Sequence, residues 1–133
     1  MKRIFTFGSN ESGRHGKGAA LHAFKHHGAK YGSHLGLTGD SYAIPTKDER
    51  LQTLPLYQIN QYVALFIGAA HEECNDMEFY VTAIGCGLAG YRSEDIAPMF
   101  RLVPQNCLMP IEWREWLPNT ARYHNEPCCG AEI

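Results

Sequence analysis

The chain has 133 residues, 12 Lys+Arg against 14 Asp+Glu, and 44% hydrophobic residues. That length predicts one domain with a core that needs no disulfide staples. The net charge of −2 argues against general nucleic-acid binding, because no overall positive field attracts phosphate backbones.

No apolar run approaches the roughly 20 residues of a bilayer span, so no membrane partner is expected. Met1-Lys2-Arg3-Ile4-Phe5 turns polar at Gly8-Ser9-Asn10, too early for a signal-peptide core, and the expected location is the cytoplasm. Five cysteines, an odd and unevenly spaced set, argue against a secreted disulfide framework. Cys128 and Cys129 are adjacent rather than spaced as a zinc-binding CxxC pair. A site of Cys107, His124, Cys128 and Cys129 is conceivable, but no metal and no cofactor is needed to explain the sequence.

In chain order, residues 3–7 form a β-branched and aromatic run stopped by Gly8, which predicts a strand. Residues 8–18 hold Gly8, Gly13, Gly16 and Gly18, a loop needing unusual torsions or close backbone approach. Ala19, Ala20, Ala23 and Phe24 then recur at helical spacing as far as His27, and Gly28 closes the segment. Residues 31–40 are again a glycine-rich loop. Residues 41–46 predict a short second strand cut by Pro45. The stripe Leu56, Ile59, Val63, Phe66 and Ile67 predicts a helix over 54–71, with Pro55 in its first turn. Residues 78–84 are mostly apolar and predict a central strand covered on both faces. A second glycine loop occupies 85–91. Ser93 is the expected N-cap of a helix reaching about residue 100, with Glu94 and Asp95 in its first turn. Residues 107–111 predict a last strand. The domain is expected to span 1–117, with 118–133 a weakly ordered tail.

Strands alternating with helices predict an α/β fold, a three-layer α/β/α sandwich around a mixed, largely parallel sheet. Ligands of such sheets bind beyond the carboxyl ends of the strands, and both glycine loops are strand-to-helix loops. Glycines let backbone N–H groups approach a phosphate, and a following helix N-terminus adds favourable dipole charge. Two such loops on one edge can grip a diphosphate from both sides. The Walker pattern fails because Gly18 follows Gly16-Lys17, and the GxGxxG fingerprint fails because Gly13, Gly16 and Gly18 run in the reverse spacing. No Gly-x-Ser-x-Gly elbow occurs either.

Gly8-Ser9-Asn10 after a strand, with Gly16-x-Gly18-Ala19-Ala20 opening a helix, resembles the first ligand loop of macro domains. Ile84-Gly85-Cys86-Gly87-Leu88-Ala89-Gly90-Tyr91 resembles that family's phosphate loop. The resemblance covers roughly residues 4–111 and is specific at these loops. It implies binding of ADP-ribose or an ADP-ribosylated substrate, with possible removal of ADP-ribosyl or terminal phosphate groups. On that reading Gly8, Ser9 and Asn10 approach the ligand, Asn10 at the distal ribose. Gly16, Gly18 and Ala19 line the diphosphate by backbone N–H, with His15 and Lys17 beside them among the ligand-binding residues. Gly87, Leu88, Ala89 and Gly90 close over it, with Gly85 and Cys86 also among the ligand-binding residues, and Tyr91 packs on the distal ribose and terminal phosphate region. Read from the residues alone, Asn10 is equally well a turn residue, and Tyr91 an ordinary half-buried aromatic.

Lys47 ends the second strand on the same edge, which resembles the macro-domain branch that removes ADP-ribose from acidic side chains by a lysine's attack on the anomeric carbon. Against this, Lys47-Asp48-Glu49-Arg50 reads as a solvated charge run. The chain also departs from that branch, which carries a carboxylate where Ala89 stands. A second hydrolase pattern has an acidic residue where Ala19 and Ala20 stand. His15 and Asp48 are the remaining candidates for proton transfer. Cys86 is a conceivable nucleophile, more readily read as a small apolar residue. Binding is therefore expected ahead of catalysis. The alternatives are an α/β hydrolase of another small phosphorylated substrate and a non-enzymatic protein- or RNA-binding module.

Overall fold

The computed structural model describes residues 1–126. Six strands form one sheet: β1 (Lys2–Asn10), β2 (Gly36–Thr38), β3 (Ser41–Lys47), β4 (Met77–Val81), β5 (Cys107–Pro110) and β6 (Arg122–His124). Their spatial order is β2-β3-β1-β4-β5-β6, and every pairing is parallel except β2 with β3. The helices are α1 (Gly18–His26), α2 (Leu56–Glu72) and the single turn α3 (Ser93–Ile96), with 3-10 turns over Ala97–Phe100 and Ile111–Trp116.

Alternation along the strands sorts the core into two layers. Ile4, Tyr42, Ile44, Phe79, Val81, Cys107 and Met109 point to one face. There they pack on Ile59, Val63, Phe66 and Ala70 of α2 and on Ile96, Phe100 and Trp113. Phe5, Phe7 and Ala43 point to the other face and meet Ala20 and Ala23 of α1. Helices on both faces make the expected three-layer α/β/α sandwich. Small alanines on α1 let the short helix lie close against the two phenylalanines, while α2 supplies the bulk of the larger core.

The structure departs from the sequence expectations at definite places. Pro45 does not end β3. The β1–β3 register slips beside it, from Ser9 opposite Pro45 to Asn10 opposite Lys47, and such an irregularity is where a sheet tolerates a missing N–H. Residues 36–38, expected as loop, add β2 to the sheet edge. β4 is central, but only one of its faces is covered by helices. On the other face Tyr80 donates to Glu78 at 3.0 Å, Arg122 pairs with Glu78 at 3.0 Å, and Arg3 lies 4.1 Å over the Tyr80 ring. Arg92, not Ser93, caps α3. Its N–H donates to Asp95 at 3.1 Å, while the Ser93 hydroxyl accepts from Trp113 Nε1 at 3.1 Å. The stretch 118–126 is no loose tail, since Arg122–His124 pairs with β5 and His124 Nε2 lies 2.7 Å from the Val81 carbonyl. Cys128 and Cys129 lie outside the described residues, and among the described residues no cluster of three potential metal ligands occurs. No described helix is long and apolar enough to cross a membrane.

Candidate functional site

From β1 the chain crosses to β3 on one side, and β4 returns on the other. The direction of winding therefore reverses between β1 and β4, the place where open α/β sheets leave a crevice for a ligand. The loops leaving these two strands, 11–17 and 82–92, are the two glycine loops. Topology brings together what the sequence separates by about seventy positions.

The first loop is held by Asn10. Its Oδ1 accepts from Ser12 Oγ at 2.6 Å and from the Arg14 N–H at 2.9 Å, and its Nδ2 donates to the Arg14 carbonyl at 2.8 Å. The side chain thus organises its own turn. Ser9 is buried and donates to the His34 carbonyl at 2.6 Å. Gly13, at φ +74, lies so close to Gly32 that a Cβ would stand 2.4 Å from the Gly32 carbonyl, and the Gly32 N–H returns a 2.8 Å bond to Gly13. Only glycine fits that crossing. Farther along, Glu11 leans over α2, where its carboxylate accepts from the Tyr62 hydroxyl at 2.6 Å and Gln58 Nε2 at 3.3 Å. Donation to Glu11, with desolvation and the nearby negative charge adding to it, pushes the Tyr62 phenol up to about 12.

His15 does not face the ligand edge. It is 1% exposed, with Nε2 2.9 Å from the Lys30 carbonyl and its ring edge on Phe7, so the ring is packed inside the fold. Asp48 is a turn residue. Its Oδ1 accepts from the Arg50 and Gln52 N–H groups at 2.8 and 2.9 Å, and the turn carries Leu51 at φ +65. Lys47 is half-buried at the end of β3, its carbonyl accepting from the Glu11 N–H at 2.9 Å. Among the described residues no carboxylate pairs with its ammonium.

The second loop is tethered to the segment after β3. Thr53 bridges antiparallel to Lys47, its hydroxyl donates to the Ala89 carbonyl at 2.9 Å, and the Tyr91 hydroxyl donates to the Leu54 carbonyl at 2.7 Å. Tyr91 is therefore a strut of its own loop. Gly85, at φ +75, sits against Ile96, while Gly87 has open space where a side chain would go. The N–H groups of Gly87, Leu88 and Ala89 find no acceptor among the described residues, and the same holds for Gly16, Gly18 and Ala19 at the start of α1. Two sets of unclaimed donors thus lie in the loops that leave the neighbouring strands β1 and β4, and donors of this kind suit an anion. Cys86 lies in the loop, 4.0 Å from Ser93 Oγ, and burial pushes its thiol up, away from the thiolate a nucleophile needs.

Neither of the two described cavities lies on this edge. One of about 410 Å³ opens on the α1 face among Phe5, His22, His27, Tyr80 and His124, and one of about 250 Å³ lies between Leu56, Tyr57 and Met99. The sequence pointed to both loops and Lys47 but missed Thr53, Gln58 and Tyr62, which carry no motif. Their roles exist only through contacts 36 to 51 positions away. Compared with protein-family models, curated proteins and solved structures, the chain finds no match in any of the three.

Proposed function

We propose that the β1/β4 crevice binds ADP-ribose or a related ADP-ribosyl nucleotide, in the manner of a macro domain. The observation that carries this reading is the pair of N–H clusters, Gly16, Gly18 and Ala19 on one side and Gly87, Leu88 and Ala89 on the other, at the switch point of the sheet. A diphosphate lying between them meets donors from both loops and the N-terminal end of α1. Asn10 supports the loop rather than the ribose. Calorimetric titration with ADP-ribose, AMP and NAD tests the reading, with ADP-ribose alone expected to bind. Gly87→Val is the matching variant, because its side chain fills open space at a residue with ordinary backbone torsions. A folded Gly87→Val protein with unchanged ADP-ribose affinity removes the proposal.

A second reading, removal of ADP-ribose from a carboxylate, rests on Lys47 alone. Attack of its amine on the anomeric carbon would break the ester bond, release the carboxylate and leave an imine of the ring-opened sugar that a hydride donor reduces to a stable amine. Ala89 offers no carboxylate to move the proton, and Asp48 is committed to its turn. Turnover is therefore expected to be weak or nil. Robust hydrolysis that survives Lys47→Ala counts against this route.

A further inference from the structure

The charges of the chain are not evenly spread. Four of its 12 Lys+Arg and none of its 14 Asp+Glu fall within residues 12–39, so this segment carries +4 and the remainder −6. The net charge of −2 hides that division. In the fold the segment is α1, the loops on either side of it and the edge strand β2. Arg14, Lys17, Lys25 and Lys30 are all exposed, and none belongs to an ion pair among the described residues. Asp40, the first acid after the segment, is paired with Lys2 at 3.2 Å.

Two large aromatics stand out of this basic surface. Phe24 is 47% and Tyr31 54% exposed, and their rings meet edge to face at 5.7 Å. In sequence they are seven residues apart and look unrelated. In the fold they form one unit propped from below: His15 lies 5.5 Å from Tyr31 and 6.4 Å from Phe24, and packs in turn on Phe7 of the core. The His15 ring is fixed through the Lys30 carbonyl, and the Gly13–Gly32 crossing pins the backbone beside Tyr31. Leu21, Phe24 and Lys25 stand at i, i+3 and i+4 and so share one face of α1. A firm exposed aromatic pair flanked by unpaired cations is what a strand of stacked bases and spaced phosphates requires.

We propose that this face of α1 binds single-stranded nucleic acid, with bases stacking on Phe24 and Tyr31 and phosphates met by Lys25, Lys30, Arg14 and Lys17. Arg14 and Lys17 border the first loop of the crevice proposed for ADP-ribose, whereas Phe24, Tyr31, Lys25 and Lys30 lie outside that loop, and the proposal rests on these four and not on that reading. A duplex, whose bases are already stacked, offers Phe24 and Tyr31 nothing. An acidic peptide offers charge but no bases.

The test is fluorescence anisotropy with a labelled single strand of about 20 nucleotides at about 50 mM salt, repeated with the same sequence as duplex and with poly-glutamate as competitor. Single-strand binding is expected at least about tenfold tighter than duplex, with log K falling by about 2 to 3 per unit of log salt for three or four neutralised phosphates. Phe24→Ala with Tyr31→Ala should weaken it by about tenfold or more, since each base–aromatic stack carries much of the affinity. Lys25→Glu with Lys30→Glu, which leaves the aromatic pair and His15 untouched, should weaken it as much and flatten the salt dependence. The proposal is overturned by absence of binding at low salt, by equal affinity for duplex, by competition from poly-glutamate at equal charge, or by unchanged affinity in the folded Lys25/Lys30 variant.

Discussion

The Thr53 hydroxyl donates to the Ala89 carbonyl at 2.9 Å, tying the second glycine loop to the segment that bridges Lys47. Tyr91, two residues farther along, makes a parallel tie to the Leu54 carbonyl at 2.7 Å. Between them these bonds fasten the loop to the segment that follows β3. Each is worth about 0.5–1.5 kcal/mol net. Thr53→Val with Tyr91→Phe should leave the core intact and lower ADP-ribose affinity by about tenfold, because a loosened loop must be ordered on binding. Calorimetry of the double variant reads this, and affinity equal to wild type would show that the ties do not shape the site.

Asn10 makes three hydrogen bonds within five residues of chain, using both polar atoms of its side chain. Alanine leaves the Arg14 N–H and the Ser12 hydroxyl without their acceptor, so Asn10→Ala should lower stability by about 1–2 kcal/mol and speed amide exchange in the first loop. Asn10→Asp keeps the acceptor but loses donation to the Arg14 carbonyl, and should fall between. Urea unfolding of the three proteins orders them. An alanine variant as stable as wild type would return Asn10 to the role of a free side chain.

What was legible in the sequence was whatever repeats along it. The 3.6-residue stripe Leu56, Ile59, Val63, Phe66 and Ile67 and the apolar run around Phe79 mark α2 and β4 because burial imposes a period on residue type. β2 was hidden because its three residues hold a glycine at φ +92 and are recruited only by pairing with β3. β6 was hidden for a related reason: Arg122 and His124 look like tail, and it is the fold that brings Glu78 and the Gln105 carbonyl to Arg122 and the Val81 carbonyl to His124. Composition also misled at His15. A histidine among glycines and cations reads as a loop residue, yet its ring fills space against Phe7. The glycine loops were visible as loops, but their placement side by side follows from strand order, which no local pattern encodes.

Gly85 gives a prediction free of any ligand. Its φ of +75 is costly for any other residue, and a Cβ there would stand 3.1 Å from Ile96 Cδ1 in the larger core. Gly85→Ala should therefore cost about 1–3 kcal/mol, combining backbone strain with displacement of Ile96. Adding Ile96→Val removes the contacting Cδ1 methyl, and should recover part of the loss if crowding contributes. A Gly85→Ala protein with the wild-type Tm would show that the loop backbone can adopt another course.

The Glu11–Tyr62 bond makes stability depend on pH in a calculable direction. Tyr62 ionises near 10 when unfolded and near 12 when folded, chiefly because its hydroxyl donates to the Glu11 carboxylate, with desolvation and charge repulsion adding to the shift. The folded state therefore holds the proton more tightly. The stability this contributes is fully present below about pH 10 and is lost as pH rises through 12, because only the unfolded chain releases the proton early in that window. Tyr62 is half-exposed, so the bond contributes about 1 kcal/mol rather than the larger value of a buried charged pair. Tyr62→Phe should then be less stable than wild type by about that amount at pH 7 to 9. The gap should close as the buffer is taken from pH 10 towards 12, while Tyr42, Tyr80 and Tyr123, also shifted upward, act equally in both proteins and cancel. Urea midpoints of the pair across this range measure it. A gap that stays constant to the alkaline limit would mean that Tyr62 contributes through its ring and not through Glu11, and the first loop would then need another anchor on α2.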